Sequence, residues 1–267
     1  MPATQSLRRA GLALLLAAFA TAGLAQATKP AAGLSAYEPI SGQEGKDVVW
    51  VPTSQALVDK MLDLAGVTKD DFVMDLGSGD GRTVITAAKR GARALGVEYN
   101  PDLVALSKRN AQKEGVSGRA TFVNADLFET DISQATVITM FLLPELNIKL
   151  RPRILALKPG TRIVSNSFTM GDWKEDERAT LTQETGCNTS WCTALFWIVP
   201  ARVEGTHKLP QGEVTFKQHY QELAGSLASG GTTYALEGKV RGEEVSFTSG
   251  GREYRGRMNG RRFELNK

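Results

Sequence analysis

The sequence predicts an α/β fold in which a doubly wound, mostly parallel sheet is followed by a small C-terminal antiparallel β meander. Short apolar strands alternate with amphipathic helices from residue 53 to about residue 200, the pattern of successive βαβ units. A glycine-rich loop separates the first strand from its helix. After residue 204 the helical spacing stops and glycine turns divide short alternating runs.

The elements follow in chain order. Arg8 and Arg9 precede an apolar run from Gly11 to Ala25, and small residues at Ala25 and Ala27 complete the layout of a secretory signal peptide over residues 1–27. As a helix that run spans about 22 Å, short of a ~30 Å hydrocarbon core. Export, in the periplasmic sense, is therefore expected, with an uncleaved N-terminal anchor as the alternative. Residues 28–50 show no period and read as a linker into a domain over 51–203. Leu57, Val58, Met61, Leu62, Leu64 and Ala65 recur at helical spacing. Phe72 to Leu76 is the first strand, and Arg82 to Arg90 a helix closed by Gly91. Ala94 to Glu98 is the second strand. Asn100 and Pro101 are a cap and first-turn pair opening a helix that ends near Gly115. Ala120 to Asn124 and Ala135 to Phe141 are the third and fourth strands. Pro144 can start another helix, which Pro152 must kink or divide. Lys158-Pro159-Gly160 turns into a strand from Arg162 to Ser165, and Ala194 to Val203 supplies one or two more. The whole is Rossmann-like.

Residues 204–267 form the β-rich C-terminal domain. A two-residue turn at Asn259-Gly260 is expected to close the last hairpin, with Met258 facing Arg261 and Gly256 facing Phe263. Tyr254, Met258, Phe263 and Leu265 then share an apolar face, and Arg255, Arg257, Arg262 and Glu264 a charged one. That charged face reads as solvated surface, or alternatively as a site of membrane-surface association.

Composition limits the function. The 267 residues carry a net charge of +3, with 42% hydrophobic and 23% charged residues, an ordinary globular mixture. No stretch has the basic density of a nucleic-acid binder, so no nucleic-acid partner is expected. The two cysteines, Cys187 and Cys192, cannot alone make a structural zinc site, and neither His207 nor His219 lies near them in sequence. No metal is expected. The pair reads as a local disulfide or as two buried thiols.

The chemistry lies in Asp75-Leu76-Gly77-Ser78-Gly79-Asp80-Gly81-Arg82. Glycines between a strand and a helix let backbone approach a ligand, and the helix N-terminus favours negative groups. Glu98, at the end of the second strand, can accept hydrogen bonds from two ribose hydroxyls. A nucleoside-containing cofactor is expected at the carboxyl edge of the sheet. A dinucleotide loop places its third glycine where this chain has Arg82. Asp75 and Asp80 would repel a pyrophosphate but suit a cation. S-adenosylmethionine carries an ammonium and a sulfonium and no phosphate, so charge favours it as cofactor.

The loop resembles the first motif of class I S-adenosylmethionine-dependent methyltransferases. More of the chain is similar to one branch, the small lysine methyltransferases that include mitochondrial enzymes acting on the ATP synthase c-subunit and the adenine nucleotide translocase. Val51-Pro52-Thr53, Asn124-Ala125-Asp126-Leu127-Phe128, Phe141-Leu142-Leu143-Pro144, Leu157 to Arg162 and Met170 to Trp173 carry that likeness. The resemblance implies that Asp75 and the amides of Gly77, Ser78, Gly79, Asp80 and Gly81 hold the methionine end, with Thr53 at the cofactor carboxylate. It implies Glu98 at the ribose, Asp126 at the adenine amino group and the Leu127 amide at the ring. The methyl acceptor is read as a protein lysine amine. A small-molecule acceptor and a non-catalytic exported binding module are the alternatives. The Asn/Asp-Pro-Pro-aromatic signature of amine-methylating relatives is replaced by Phe141 to Pro144. No general base is evident. Phe141, Pro144, Asn147 and Asn166 follow the fourth and fifth strands and are placed to line the acceptor pocket, although Phe141-Leu142-Leu143 also reads as core. Trp173 and Trp191 read as packing anchors, and His207 and His219 as structural or exposed.

Overall fold

A computed structural model describes residues 37–266. The expected signal peptide over 1–27 and the first part of the expected linker lie outside the described residues. Helix α1 (Gln55–Leu64) is capped by Ser54, whose hydroxyl accepts from the Leu57 amide. Strand β1 (Phe72–Leu76) leads through the glycine loop into α2 (Arg82–Lys89), and β2 (Arg93–Glu98) into α3 (Pro101–Lys113). The Asn100 side chain accepts from the amides of Asp102 and Leu103 at the start of α3, and Pro101 takes the first helical position, as the sequence requires. Strands β3 (Ala120–Asn124) and β4 (Val137–Met140) follow, then α4 (Pro144–Leu155) and β5 (Arg162–Asn166). Pro152 does not divide α4. It falls in the last turn, where the helix is about to end in any case.

Two strands close this sheet: β6 (Glu177–Thr180), which the sequence pattern did not reveal, and β7 (Thr193–Ile198). The order is β3-β2-β1-β4-β5-β7-β6, parallel through β5, with β7 antiparallel to both β5 and β6. The strand order reverses between β1 and β4. A crevice opens at such a switch point, at the carboxyl ends of the strands. One apolar cluster packs α1 and α2 against one face of the sheet, and a second packs α4, Trp173 and Trp197 against the other.

The meander is a second sheet of seven strands in sequential antiparallel order: β8 (Gly205–Leu209), β9 (Gly212–His219), β10 (Glu222–Ser229), β11 (Thr232–Arg241), β12 (Glu244–Ser249), β13 (Arg252–Asn259) and β14 (Arg262–Leu265). Every connection is a two-residue turn. The His207 ring on β8 lies 5.9 Å from Phe263 on β14, so the ends of the meander curl together around the core of Phe216, Phe247, Met258 and Phe263. The last turn is Gly260-Arg261 rather than Asn259-Gly260. Met258 pairs with Phe263 and Gly256 with Leu265, two residues from the expected register. Gly260 has φ +61°, which puts the positive-φ residue first in the turn. A shift of two preserves the faces, so Met258 and Phe263 are buried as expected. On the charged face Arg255 pairs with Glu253, Arg257 with Glu243 and Arg262 with Glu264, which neutralises the expected basic surface from within.

The sheets meet at an aromatic seam. Tyr220, in the turn after β9, stacks on Trp173 at 5.9 Å, and Gln221 donates to the Lys174 carbonyl at 2.8 Å. Trp173 is thus the packing anchor the sequence suggested.

Candidate active site

The carboxyl ends of β1, β2, β3 and β4 surround a cavity of about 420 Å³, in the range of small-molecule sites. Thr53, Asp75, Gly77, Ser78, Gly79, Asp80, Glu98, Asp126 and Leu127 all line it.

Asp75 is the fourth residue of β1 and is buried. Its carboxylate accepts from the Thr139 hydroxyl of β4 at 2.6 Å, and no cationic side chain pairs with it among the described residues. Burial pushes this acid up to about 7. The Thr139 hydrogen bond opposes the rise, and the nearby charge of Glu98 adds to it. Glu98 ends β2. One of its oxygens accepts from the Gly79 amide and the other from the Asn100 amide, both at 2.9 Å. Two backbone donors thus fix the carboxylate and leave lone pairs toward the cavity.

The remaining carboxylates are compensated. Asp80 is forked by Arg82, whose Nε and Nη2 lie 3.0 and 2.6 Å from its oxygens, while Arg82 Nη1 donates to the Thr53 carbonyl at 2.7 Å. Asp80 is therefore not a free anion awaiting a cationic ligand. Asp126 pairs with Lys46 and accepts from the Phe128 amide at 2.8 Å; Lys46 and that amide hold its carboxyl below the usual range. Lys46 also lies 4.6 Å over the Tyr99 ring.

The loop corrects two expectations. The amides of Gly77 and Ser78 both donate to the Val97 carbonyl, that of Gly79 to Glu98 and that of Gly81 to the Ser78 carbonyl. These four donors build the loop and are not left for a ligand. Gly81 does not line the cavity. It caps α2 at φ +84°, and a Cβ there would lie 2.8 Å from the Phe122 ring and 2.9 Å from Ser107, so its smallness serves packing. Gly79 does border the cavity, and a Cβ there would strike the Trp50 indole nitrogen at 2.5 Å. Thr53 is at the cavity, but its hydroxyl already accepts from Asn166 at 3.2 Å.

The acceptor side differs more. Phe141 lines the cavity, but Pro144, Asn147 and Asn166 do not. Asn147 is fully buried and donates to the Phe168 and Thr169 carbonyls, holding the chain after β5; Asn166 is buried against Thr53. Their place is taken by Leu142, Leu143, Leu146, Phe168 and Trp191. Phe141, Leu142 and Leu143 are thus all cavity wall, but only Leu142 is also core, since Phe141 is half-buried and Leu143 is exposed. Trp191 is cavity wall rather than a packing anchor. Phe141 stacks on Phe168 at 5.9 Å and meets Trp191 edge-on at 6.0 Å.

The expected linker also contributes. Residues 43–50 line the cavity, and the backbones of Gln43 and Trp50 pair to close a short strap. Strap, Lys46 and Trp50 had no periodic signal to reveal them.

The cavity fits S-adenosylmethionine on the chemistry of its own walls. An uncompensated buried acid suits an ammonium, a fixed carboxylate suits a diol, and the apolar surfaces of Leu103 and Leu127 suit an adenine ring. A seven-stranded sheet of this order with this cavity at its switch point defines an S-adenosylmethionine-dependent methyltransferase. A family model described as the ANTKMT methyltransferase domain matches residues 75–177. A protein-lysine N-methyltransferase of Saccharolobus islandicus is 48% identical over 49% of this chain and 83% of its own length. A mouse enzyme named as the lysine N-methyltransferase of the ATP synthase C-subunit is 31% identical over 69% of this chain and 71% of its own. A solved structure named as an RNA methyltransferase of Salinibacter ruber in complex with S-adenosyl-L-homocysteine is 44% identical, covering 57% of this chain and 96% of that one with a TM-score of 0.52. The chain belongs to this family of S-adenosylmethionine-dependent methyltransferases, and S-adenosylmethionine is its cofactor.

Proposed function

We propose that this enzyme methylates the side-chain amine of a protein lysine, and that it does so after export. One observation carries the substrate reading: the acceptor half of the cavity is walled by Phe141, Leu142, Leu143, Leu146, Phe168 and Trp191, with no acid or base among them. Relatives named as lysine methyltransferases support it.

Asp75 would hold the cofactor ammonium, Glu98 the ribose hydroxyls and Asp126 the adenine amino group. The bound cofactor supplies a methyl group on a cationic sulfonium, which passes to the amine nitrogen as the N–C bond forms and the C–S bond breaks. The chain's task is then alignment and exclusion of water. A lysine amine, with an ordinary pKa of about 10.4, must be neutral to attack. The neighbouring sulfonium charge disfavours its ammonium form. The side chains lining the acceptor half offer no proton acceptor, so the amine sheds its proton to water before it is enclosed.

Export is supported by the sequence of residues 1–27 and by a disulfide between Cys187 and Cys192. The internal pairing of the meander arginines supports a solvated face there rather than a lipid-binding one. No helix among the described residues is long and apolar enough to cross a membrane. The test is a labelled-methyl assay on cell-envelope and cytoplasmic protein extracts, with acid hydrolysis of the labelled product. Label recovered as methylated lysine from envelope protein is the expected result. Label in small molecules alone would overturn the lysine reading, and a reporter fused after residue 267 that fractionates with the cytoplasm would overturn export.

A further inference from the structure

The aromatic cluster at the acceptor side is built by three separate elements. Phe141 follows β4, Phe168 follows β5, and Trp191 belongs to the loop between β6 and β7. The first two are held by strand ends. Trp191 is different: it is 36% exposed, and among the described residues its one aromatic contact is the edge-on approach to Phe141. Its position is therefore set by its backbone.

That backbone is stapled. Cys187 and Cys192 form a disulfide, with their Cα atoms 5.8 Å apart, and Trp191 precedes the second cysteine. Both cysteines are buried. The Cys187 amide donates to the Thr182 carbonyl at 2.9 Å, and the Thr189 hydroxyl accepts from the Trp191 amide at 3.2 Å. Gly186, at φ +92°, lets the loop lie against α1, where a Cβ would be 2.9 Å from that of Ala56. The ring on one side and the Leu181 amide, which donates to the Cys192 carbonyl at 2.8 Å, on the other together fix the backbone at Trp191.

We propose that Phe141, Phe168 and Trp191 form a subsite for the alkylammonium group of the acceptor, and that the Cys187–Cys192 disulfide positions its outer wall. This inference rests on the lysine reading above. Aromatic faces attract a cation through their negative π surface, and methylated ammonium ions suit such walls because they are weakly hydrated. The slot would hold the lysine ammonium as it enters, before its proton is shed to water, and the methylated ammonium as it leaves. Trp191 is the specificity-determining wall, and the two cysteines are positioning residues.

The test uses the full chain saturated with S-adenosylhomocysteine, whose binding is measured first by calorimetry. The probes are N-acetyl-Nε-trimethyl-lysine amide, which keeps its charge at every pH, and N-acetyl-norleucine amide, its neutral counterpart. The charged probe is expected to bind and the neutral one to bind at least several-fold more weakly. Trp191→Ala should weaken the charged probe by about 3- to 30-fold, the range of one cation–π wall, while Trp191→Phe retains most of the affinity. The Cys187→Ala/Cys192→Ala pair should match Trp191→Ala. S-adenosylhomocysteine affinity should hold within about twofold throughout, a separation that general unfolding would not produce. Equal binding of the two probes, no binding of the charged one, or undiminished binding to Trp191→Ala overturns the subsite. Undiminished binding to the cysteine pair overturns the positioning role. Trp191 is among the exposed large hydrophobic residues, so its variants decide the matter even if the cysteine pair fails to fold. Failure of S-adenosylhomocysteine to bind the wild type is seen before any probe is added and overturns the functional reading itself.

Discussion

Asp75→Asn is expected to make the protein more stable and a poorer binder of its cofactor. Asp75 is buried, with the Thr139 hydroxyl for a partner and no cation beside it among the described residues, and its carboxyl is pushed from 3.8 to about 7. At 1.36 kcal/mol per unit, keeping it ionised costs roughly 4 kcal/mol, an upper bound for the site. Between pH 4 and 7 the folded chain binds the proton and the unfolded chain releases it, so this group lowers stability as pH rises through that window. The Asn variant should lose that slope and melt higher at pH 8. An ammonium ligand reverses the balance by favouring the carboxylate. Binding of S-adenosylmethionine to wild type should therefore release about one proton at pH 6, and Kd should weaken about tenfold per pH unit below 7. The ligand's own amine, with an ordinary pKa near 7.7–8.0, sets the upper limb in both proteins. In the variant the lower limb should vanish and affinity fall by about 2–5 kcal/mol, the loss for one partner of a buried charge pair. Calorimetry in two buffers of different ionisation enthalpy counts the proton. A wild type that releases none at pH 6, with a flat Kd from pH 5.5 to 7.5, would refute the reasoning.

Two stability predictions follow from packing. Gly81→Ala should cost about 2–4 kcal/mol, because a positive φ and a clash with the Phe122 ring add; Gly115→Ala, at φ +69° in open space, should cost about 1–2 kcal/mol, and thermal melts of the pair separate the two terms. Arg162→Met strips the guanidinium from buried Asp71 and from the Ala65 carbonyl, and should cost about 2–4 kcal/mol in a denaturant titration, discounted from the fully buried case because Arg162 is one-quarter exposed. Burial opposes ionisation of Asp71, but the Thr68 amide, the Thr136 hydroxyl and Arg162 together outweigh it and hold its pKa low, so its contribution is present above the ordinary carboxylate range and is lost as pH falls through the lowered value.

What the sequence revealed was local in kind. The strand–loop–helix unit around Gly77 to Gly81, the cap at Asn100 and the meander turns at Gly230, Gly242 and Gly250 depend on residues a few positions apart, and the structure bears them out. What it concealed depends on distant partners. Gly81 looks like any loop glycine until Phe122 and Ser107 are beside it. Lys46 sits in an aperiodic stretch, and its acid is 80 residues away. Trp191 is an aromatic in a polar loop, and only the fold reveals that the loop leans on Phe141. Asn147 and Asn166 followed the right strands, but their amides are consumed by backbone and by Thr53. The last hairpin offered two positions for its turn around one glycine, and alternation could not choose between them because both give the same faces.

The same distinction bears on how the site selects its cofactor. By sequence the acids act together, as a crowd of negative charge. In the fold Arg82 neutralises Asp80, Lys46 neutralises Asp126, and Glu98 is fixed by two backbone amides with its free lone pairs toward a diol, so direct pairing with a cation falls on Asp75. This predicts an indirect role for Arg82. Its guanidinium screens Asp80, whose charge is among those that raise the Asp75 pKa. Arg82→Met removes the screen, and a freed like charge should push Asp75 higher still. The lower limb of the Kd–pH profile should then move to higher pH, and Asp80→Asn in the same background should bring it back. A limb that moves to lower pH, or that Asp80→Asn fails to restore, would show that the two acids do not share a field and that the selectivity of this cavity has another source.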